Sequence, residues 1–274
     1  MKIFLQIVLV SLLFASCTSK LGKVLKSKDN EYKLKMAEQL YVQKKYNQAQ
    51  QVFEDIMPFY KGSDKYEDMF YKYTYCAYNQ KDFVNAESLF KTFTENFPNS
   101  TKVEECDYMR CYCYFKQSPK VDLDQTPTSK TISLMQAFVN THPESSRVKD
   151  ATDIIDQCRK KLELKEFKSA QLYYDLGRFK SAAVAFAALN EDYPDSDKSD
   201  EYKLASVKAY YKYAEESILD KQTERFEKVI AECREFNDRF ADSKLIGEIK
   251  NFQSLSETSI KKLQNEQIKE TPKR

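Results

Sequence analysis

Tryptophan is absent from the 274 residues, and glycine (4), proline (7) and histidine (1) are scarce. With so few Gly and Pro, a fold built on tight hairpin turns is excluded and long helices are open. The sequence holds no Gly-rich phosphate loop, no H-E-x-x-H and no G-x-S-x-G, so the common catalytic motifs are missing. Neither sign of charge dominates, at 44 Lys and Arg against 42 Asp and Glu. No basic stripe is present, which argues against a nucleic-acid partner. Nothing calls for a cofactor or a metal. What the chain does have is 19 Tyr and 18 Phe, large side chains suited both to a core and to a contact surface.

The N-terminus reads as a targeting segment. Lys2 precedes a mostly apolar stretch from Ile3 to Ala15, too short to span a bilayer and suited to a signal sequence. The stretch ends in Phe14-Ala15-Ser16-Cys17, which looks like a bacterial lipobox with Phe14 where Leu is usual. On this reading residues 1–16 are a signal peptide, Cys17 is acylated and residues 17–28 are a lipidated linker. The lipid is the only membrane anchor. An ordinary cleaved signal beside a chance Cys is the alternative. Thr18, Ser19 and Lys20, with no Asp after the Cys, suit outer-membrane sorting and the periplasmic face by resemblance to other lipoproteins. The remaining cysteines, Cys76, Cys106, Cys111, Cys113, Cys158 and Cys233, have no metal-site spacing. Their apolar helical settings predict buried thiols, although the compartment permits disulfides.

A repeat runs through the rest. It is aligned on Ser63, Ser100, Ser145, Ser196 and Ser243. Seven positions before each stand Ile56, Phe93, Phe138, Leu189 and Phe236. Ten before stand Phe53, Phe90, Met135, Phe186 and Cys233, and fourteen before stand Ala49, Ala86, Thr131, Ala182 and Val229. Three before stand Tyr60, Phe97, His142, Tyr193 and Phe240. Offsets of 3, 4, 7 and 11 keep one helical face apolar. Pro98, Pro143 and Pro194 stop the helix, and the Ser that follows can cap the next one. His142 therefore reads as an aromatic at a turn rather than as a catalytic group. Paired carboxylates such as Glu104-Glu105 and Glu215-Glu216 read as solvated polar faces.

The patterns Ala86-x3-Phe90…Pro98 and Ala182-x3-Phe186…Pro194 resemble the tetratricopeptide repeat. That resemblance implies an all-α fold: a right-handed superhelix of about five tetratricopeptide-like helix pairs with a C-terminal capping helix. The units are 37, 45, 51 and 47 residues apart (Ser63 to Ser100, to Ser145, to Ser196, to Ser243), longer than a standard unit. Gln117 to Pro127 supplies part of the surplus in the third. No breaker interrupts Arg147 to Asp175, which predicts one long helix or two nearly collinear ones. Leu245, Ile249, Phe252, Leu255, Ile260 and Leu263 mark the capping helix, and the tail should fray.

Tyr71, Tyr75 and Tyr78 recur 37 residues on as Tyr108, Tyr112 and Phe115. Each triplet occupies one helical face, and the repeat frame turns that face toward the concave groove, with Tyr41 joining from the first repeat. These residues form the candidate substrate groove. The bland alternative is that the tyrosines seal the core.

Several runs resemble the BamD family of the bacterial β-barrel assembly machinery. They are Tyr108-Met109-Arg110, Leu123-Asp124-Gln125, Cys158 to Glu166, Ala170-Gln171-Leu172-Tyr173-Tyr174, Gly177-Arg178-Phe179 and Asp192-Tyr193-Pro194-Asp195-Ser196. The resemblance implies a non-enzymatic outer-membrane scaffold, lipid-anchored on the periplasmic face. Its partners would be a BamA-type barrel protein, other assembly-complex subunits and the C-termini of unfolded outer-membrane proteins. Residues 29–145 would be the substrate-binding half (repeats 1–3). Residues 146–267 would be the partner-docking half (repeats 4–5 and the capping helix), with residues 268–274 a tail. Arg159, Lys165, Glu166 and Arg178 are the partner-docking candidates by this resemblance, and ordinary solvated charge accounts for them equally well. The rival readings are another periplasmic tetratricopeptide lipoprotein coordinating envelope or cell-wall proteins, and a glycan-uptake lipoprotein. The second typically needs a longer chain.

Overall fold

The computed structural model describes residues 20–270; the signal sequence, Cys17 and the end of the predicted tail lie outside them. All regular structure among these residues is helical. The helices are α1 (Asn30–Val42), α2 (Tyr46–Tyr60), α3 (Tyr66–Asn79), α4 (Phe83–Asn96), α5 (Val103–Gln117), α6 (Thr126–Thr141), α7 (Val148–Asp175), α8 (Phe179–Asp192), α9 (Ser199–Glu215), α10 (Leu219–Arg239) and α11 (Ile246–Glu270). The unbroken stretch resolves to one helix of 28 residues, α7. Contacts divide the chain between Arg159 and Lys160, inside α7.

In the first unit α1 to α6 pack in chain order, each on the next. The apolar columns explain why. Ala49, Ala86 and Thr131 are fully buried, as are Phe53, Phe90 and Met135. The small residue lets two helices approach, and the large one fills the gap three to four positions on, stabilising by about 2–3 kcal/mol for a Phe. Residues 20–25, read from sequence as linker, form a short helix. Their Val24 is 3% exposed and lies in the first-repeat core with Leu34, Phe53 and Ile56, and Leu21 and Leu25 pack on the same cluster. The long connection between α5 and α6 is pinned from within by Gln125, whose amide donates to the carbonyls of Lys120 (2.8 Å) and Leu123 (3.0 Å).

In the second unit α8 packs on α9, α9 on α10 and α10 on α11. Ala182 and Val229, Phe186 and Cys233, and Leu189 and Phe236 repeat the columns and are buried. In α11 the predicted stripe drifts. Leu255 is exposed and Ser256 is buried instead, its hydroxyl donating to the Phe252 carbonyl (2.7 Å). The helix also continues through the predicted tail as far as Glu270.

The turn between units is the same at all five serines. Each Ser N–H donates to the carbonyl three residues back, and each Ser carbonyl accepts from the N–H three residues on. At the later four the hydroxyl also accepts from the N–H two residues on, as in Lys102 N–H to Ser100 Oγ (3.1 Å). The serines therefore build a turn ahead of the helix rather than capping it; before α5 and α9 the capping residues are Lys102 and Lys198. Pro98, Pro143 and Pro194 follow helix ends at Phe97, His142 and Tyr193, whose backbone has left the helical region. The first unit has Lys61 in that place, and there the helix runs on through Tyr60.

Candidate protein-binding face

The first helix of each pair carries the aromatic residues singled out by their spacing. On α3, Tyr71 and Tyr75 have ring centroids 4.8 Å apart, and Tyr75 and Tyr78 are 6.1 Å apart. Tyr78 reaches Tyr112 of α5 at 6.4 Å. Tyr112 stacks on Tyr108 (5.9 Å) and meets Phe115 (5.8 Å). The structure thus joins six of the seven predicted groove residues into one aromatic ladder across two repeats. Tyr41 pairs instead with Tyr46 (5.7 Å) at the first-repeat core. The inner edges of the ladder rest on the second helices: Tyr75 on Phe90 (5.2 Å), Tyr71 on Phe93 (5.8 Å) and Tyr108 on Phe138 (5.5 Å). Tyr108 is buried and the other five are half-buried, so each ring has one side in the core and most have an edge outside it.

Charged residues frame the ladder. Tyr71 and Tyr75 both donate their hydroxyls to Glu105, at 2.9 and 2.7 Å. Arg147 lies 3.6 Å from the same carboxylate and over the ring of Tyr108 (5.0 Å). Lys102 sits over Tyr71 (4.9 Å) and Lys116 over Tyr112 (4.8 Å). Burial, together with the Glu105 bond, pushes the Tyr75 phenol far up, burial does the same for Tyr71, and burial raises Tyr78. The phenols are therefore neutral donors throughout the physiological range. The result is an apolar strip rimmed by three cations, of which Lys102 also pairs with Asp68 (3.1 Å) and Arg147 with Glu105 (3.6 Å). Such a surface can hold aromatic or aliphatic side chains and favour a negative group beside them.

Sequence reasoning missed the frame. Glu104 and Glu105 read as solvated, yet Glu104 accepts from Ser145 (2.6 Å) and Glu105 accepts from both tyrosines. The signal was an offset of 34 residues, which separates Tyr71 from Glu105, Glu31 from Lys65, Glu38 from Lys72 and Asp68 from Lys102. That is the repeat length of 37 less one helical turn.

His142 packs tilted against Phe138 (5.0 Å) with Nε2 3.3 Å from Asp107, at the same turn position as Phe97 and Tyr193. Among the described residues no group of three His, Cys, Asp or Glu could hold a metal. Cys76, Cys106, Cys111, Cys113 and Cys233 are buried free thiols, pushed by burial up to about 12. They are thiols rather than reactive thiolates. Cys158 is likewise buried.

A family model described as YfiO, outer membrane lipoprotein, matches residues 27–183, more than half of the chain. The chain belongs to the YfiO family of outer-membrane lipoproteins. No curated protein matches it. Among solved structures it is similar to the TPR2AB domain in complex with pHSP90, of yeast Sti1. That likeness has 12% identity and a TM-score of 0.40, and covers 83% of this chain and 98% of that one. No described helix is long and apolar enough to cross a membrane.

The family match contains the whole aromatic ladder and all four charged residues chosen by resemblance, and stops short of Asp192 to Ser196. Arg159 is exposed at the end of the first unit. In the second unit Lys165 is half-buried on α7, Glu166 accepts from the Tyr193 hydroxyl (3.1 Å), and Arg178 is exposed at the start of α8. The same stretch carries exposed apolar side chains that spacing did not single out. Leu172 on α7 and Leu176 just after it are 57% and 64% exposed, while Ala170 of α7 is buried.

Proposed function

We propose that this chain is a non-enzymatic scaffold of outer-membrane β-barrel assembly, of the BamD type, held at the periplasmic face by acylated Cys17. The ladder of Tyr71, Tyr75, Tyr78, Tyr108, Tyr112 and Phe115 receives the C-terminal segments of unfolded barrel proteins. Tyr41 extends that surface into the first repeat. Arg159, Lys165, Glu166 and Arg178, with Leu172 of α7 and Leu176 just after it, dock a BamA-type barrel protein. The observation that carries this reading is the ladder itself: a run of half-buried rings, continuous across two repeats, with cations on its rim. A barrel segment ending in an aromatic residue and a free carboxylate has the complementary chemistry, with the ring packed on the tyrosines and the carboxylate beside Lys116, Lys102 or Arg147.

The test uses the full chain and a fluorescent peptide from a barrel C-terminus. Replacing the terminal aromatic of the peptide by Ala should weaken binding at least about tenfold, since loss of a packed ring costs more than 1.4 kcal/mol. Amidating the terminal carboxylate should weaken it further. Equal affinity for the three peptides would remove the groove assignment, without any change to the protein.

A further inference from the structure

We propose that residues 20–28 form a basic edge of the first repeat that lies directly on the headgroups of anionic lipids. Leu21, Val24 and Leu25 fall on one helical side and pack into the first-repeat core. This segment is therefore part of the folded body and not a tether. Its outer side carries Lys20, Lys23, Lys26 and Lys28, all exposed. Three other lysines of the first two repeats are neutralised: Lys33 by Asp55 (2.6 Å), Lys65 by Glu31 (2.7 Å) and Lys72 by Glu38 (2.7 Å). None of the four has an ion pair among the described residues; of the nearest acids in sequence, Asp29 caps α1 through the Tyr32 N–H (3.0 Å) and Glu31 pairs with Lys65 (2.7 Å). The apolar side of the segment is already spent on the core. What remains is unneutralised positive charge with no groove, which fits a flat anionic surface better than a peptide.

Chain length fixes where that surface must be, and here the proposal rests on the acylation of Cys17. Three peptide steps separate Cys17 from Lys20, a reach of roughly 10 Å even fully extended. That is about one Debye length at physiological salt. The acyl group then holds the lysines inside the field of the headgroups, and each lysine strengthens the association about fivefold. A single point of attachment would leave the body free to pivot; a second contact beside it sets its orientation.

Flotation with vesicles tests the contact without the lipid anchor. The chain from residue 17 onward, carrying Cys17→Ser, is mixed with phosphatidylcholine vesicles, either pure or about one-third phosphatidylglycerol. Binding is expected to the anionic vesicles alone and to be released by high salt. Replacing Lys20, Lys23, Lys26 and Lys28 together by Gln should reduce it roughly a hundredfold or more. Replacing the exposed Lys44 and Lys81 by Gln should leave it unchanged. Equal binding to both vesicle types, equal binding by the fourfold variant, or no binding at all overturns the proposal. The intact mass of the wild-type chain from membranes reports acylation separately: an unacylated Cys17 would overturn the anchor and the placement built on it, whatever the vesicles show.

Discussion

Ser100 stands 33 residues after Glu67 in sequence, yet its hydroxyl donates to the Glu67 carboxylate at 2.8 Å. The same oxygen accepts from the Lys102 N–H. One side chain thus shapes the turn into α5 and ties it back to the start of α3. The bond recurs from Ser145 to Glu104 (2.6 Å), from Ser196 to Glu163 and from Ser243 to Asp200 (2.6 Å). A serine at this position does what neither a backbone group nor an apolar residue could.

Ser100→Ala should therefore destabilise the chain by about 1–2 kcal/mol, since it removes a local turn bond and a bond to a charged acceptor together. Ser63→Ala should cost less, because the Ser63 hydroxyl donates only to the nearby Tyr60 carbonyl (2.8 Å). Urea denaturation of the two variants checks the order; equal loss would show that the carboxylate bond adds nothing.

Lys203 and Glu232 form an ion pair at 2.6 Å with side chains 5% and 6% exposed, joined by Glu235 at 2.7 Å and Lys228 at 2.6 Å. Lys203→Met should cost about 1–3 kcal/mol, because it leaves the buried Glu232 carboxylate with Lys228 as its one remaining cation and takes a partner from Glu235. Adding Glu232→Leu should recover most of that loss. A double variant no more stable than the single one would contradict this account.

Lys44, Lys81 and Gly177 hold the same place in three hairpins, with φ of 59°, 63° and 69°. In each the next N–H reaches back five residues, to Leu40, Ala77 and Tyr173. This conformation strains a side chain and suits glycine. Lys81→Gly should stabilise by about 0.5–1 kcal/mol, and Gly177→Ala should destabilise by about 1 kcal/mol. A Cβ at Gly177 would meet nothing within 4 Å, so the backbone alone would carry that cost. Thermal melting reads both signs.

Acid should unfold the chain partly through Asp68 and Glu235. Burial works against the Asp68 charge, but hydrogen bonds from Lys72 and Lys102 hold its carboxyl below the ordinary 3.8. Lys203 holds Glu235 below 4.5, against burial. A carboxyl lowered on folding stabilises fully above its unfolded value, and that stability disappears as pH falls through the folded one. Stability should be flat from pH 7 to about 5 and fall below about 4. Asp68→Asn with Glu235→Gln should make the acid limb shallower, as seen in denaturation midpoints; an unchanged slope would place the acid sensitivity elsewhere.

The fold was legible because its cause is periodic. Ala86, Phe90 and Phe93 share one face by spacing alone, and every counterpart of theirs in the other units is buried. The grouping of Tyr71 to Phe115 was legible for the same reason. Glu105 and Lys203 were not. A charged residue on an otherwise polar face reads as solvated until the neighbouring helix is in register, and that register sets the 34-residue pairs. In α11, which closes the array, the inward position falls to Ser256 because its hydroxyl satisfies itself on its own helix.

The five inter-unit turns are alike, although the intervals between them range from 37 to 51 residues. Extra length is taken up inside a unit, in the span of α7 or in the connection pinned by Gln125, while the joint stays fixed. Such a chain can acquire or lose sequence between joints without disturbing how the following unit begins. Its contact surfaces can diversify while the framework that presents them persists.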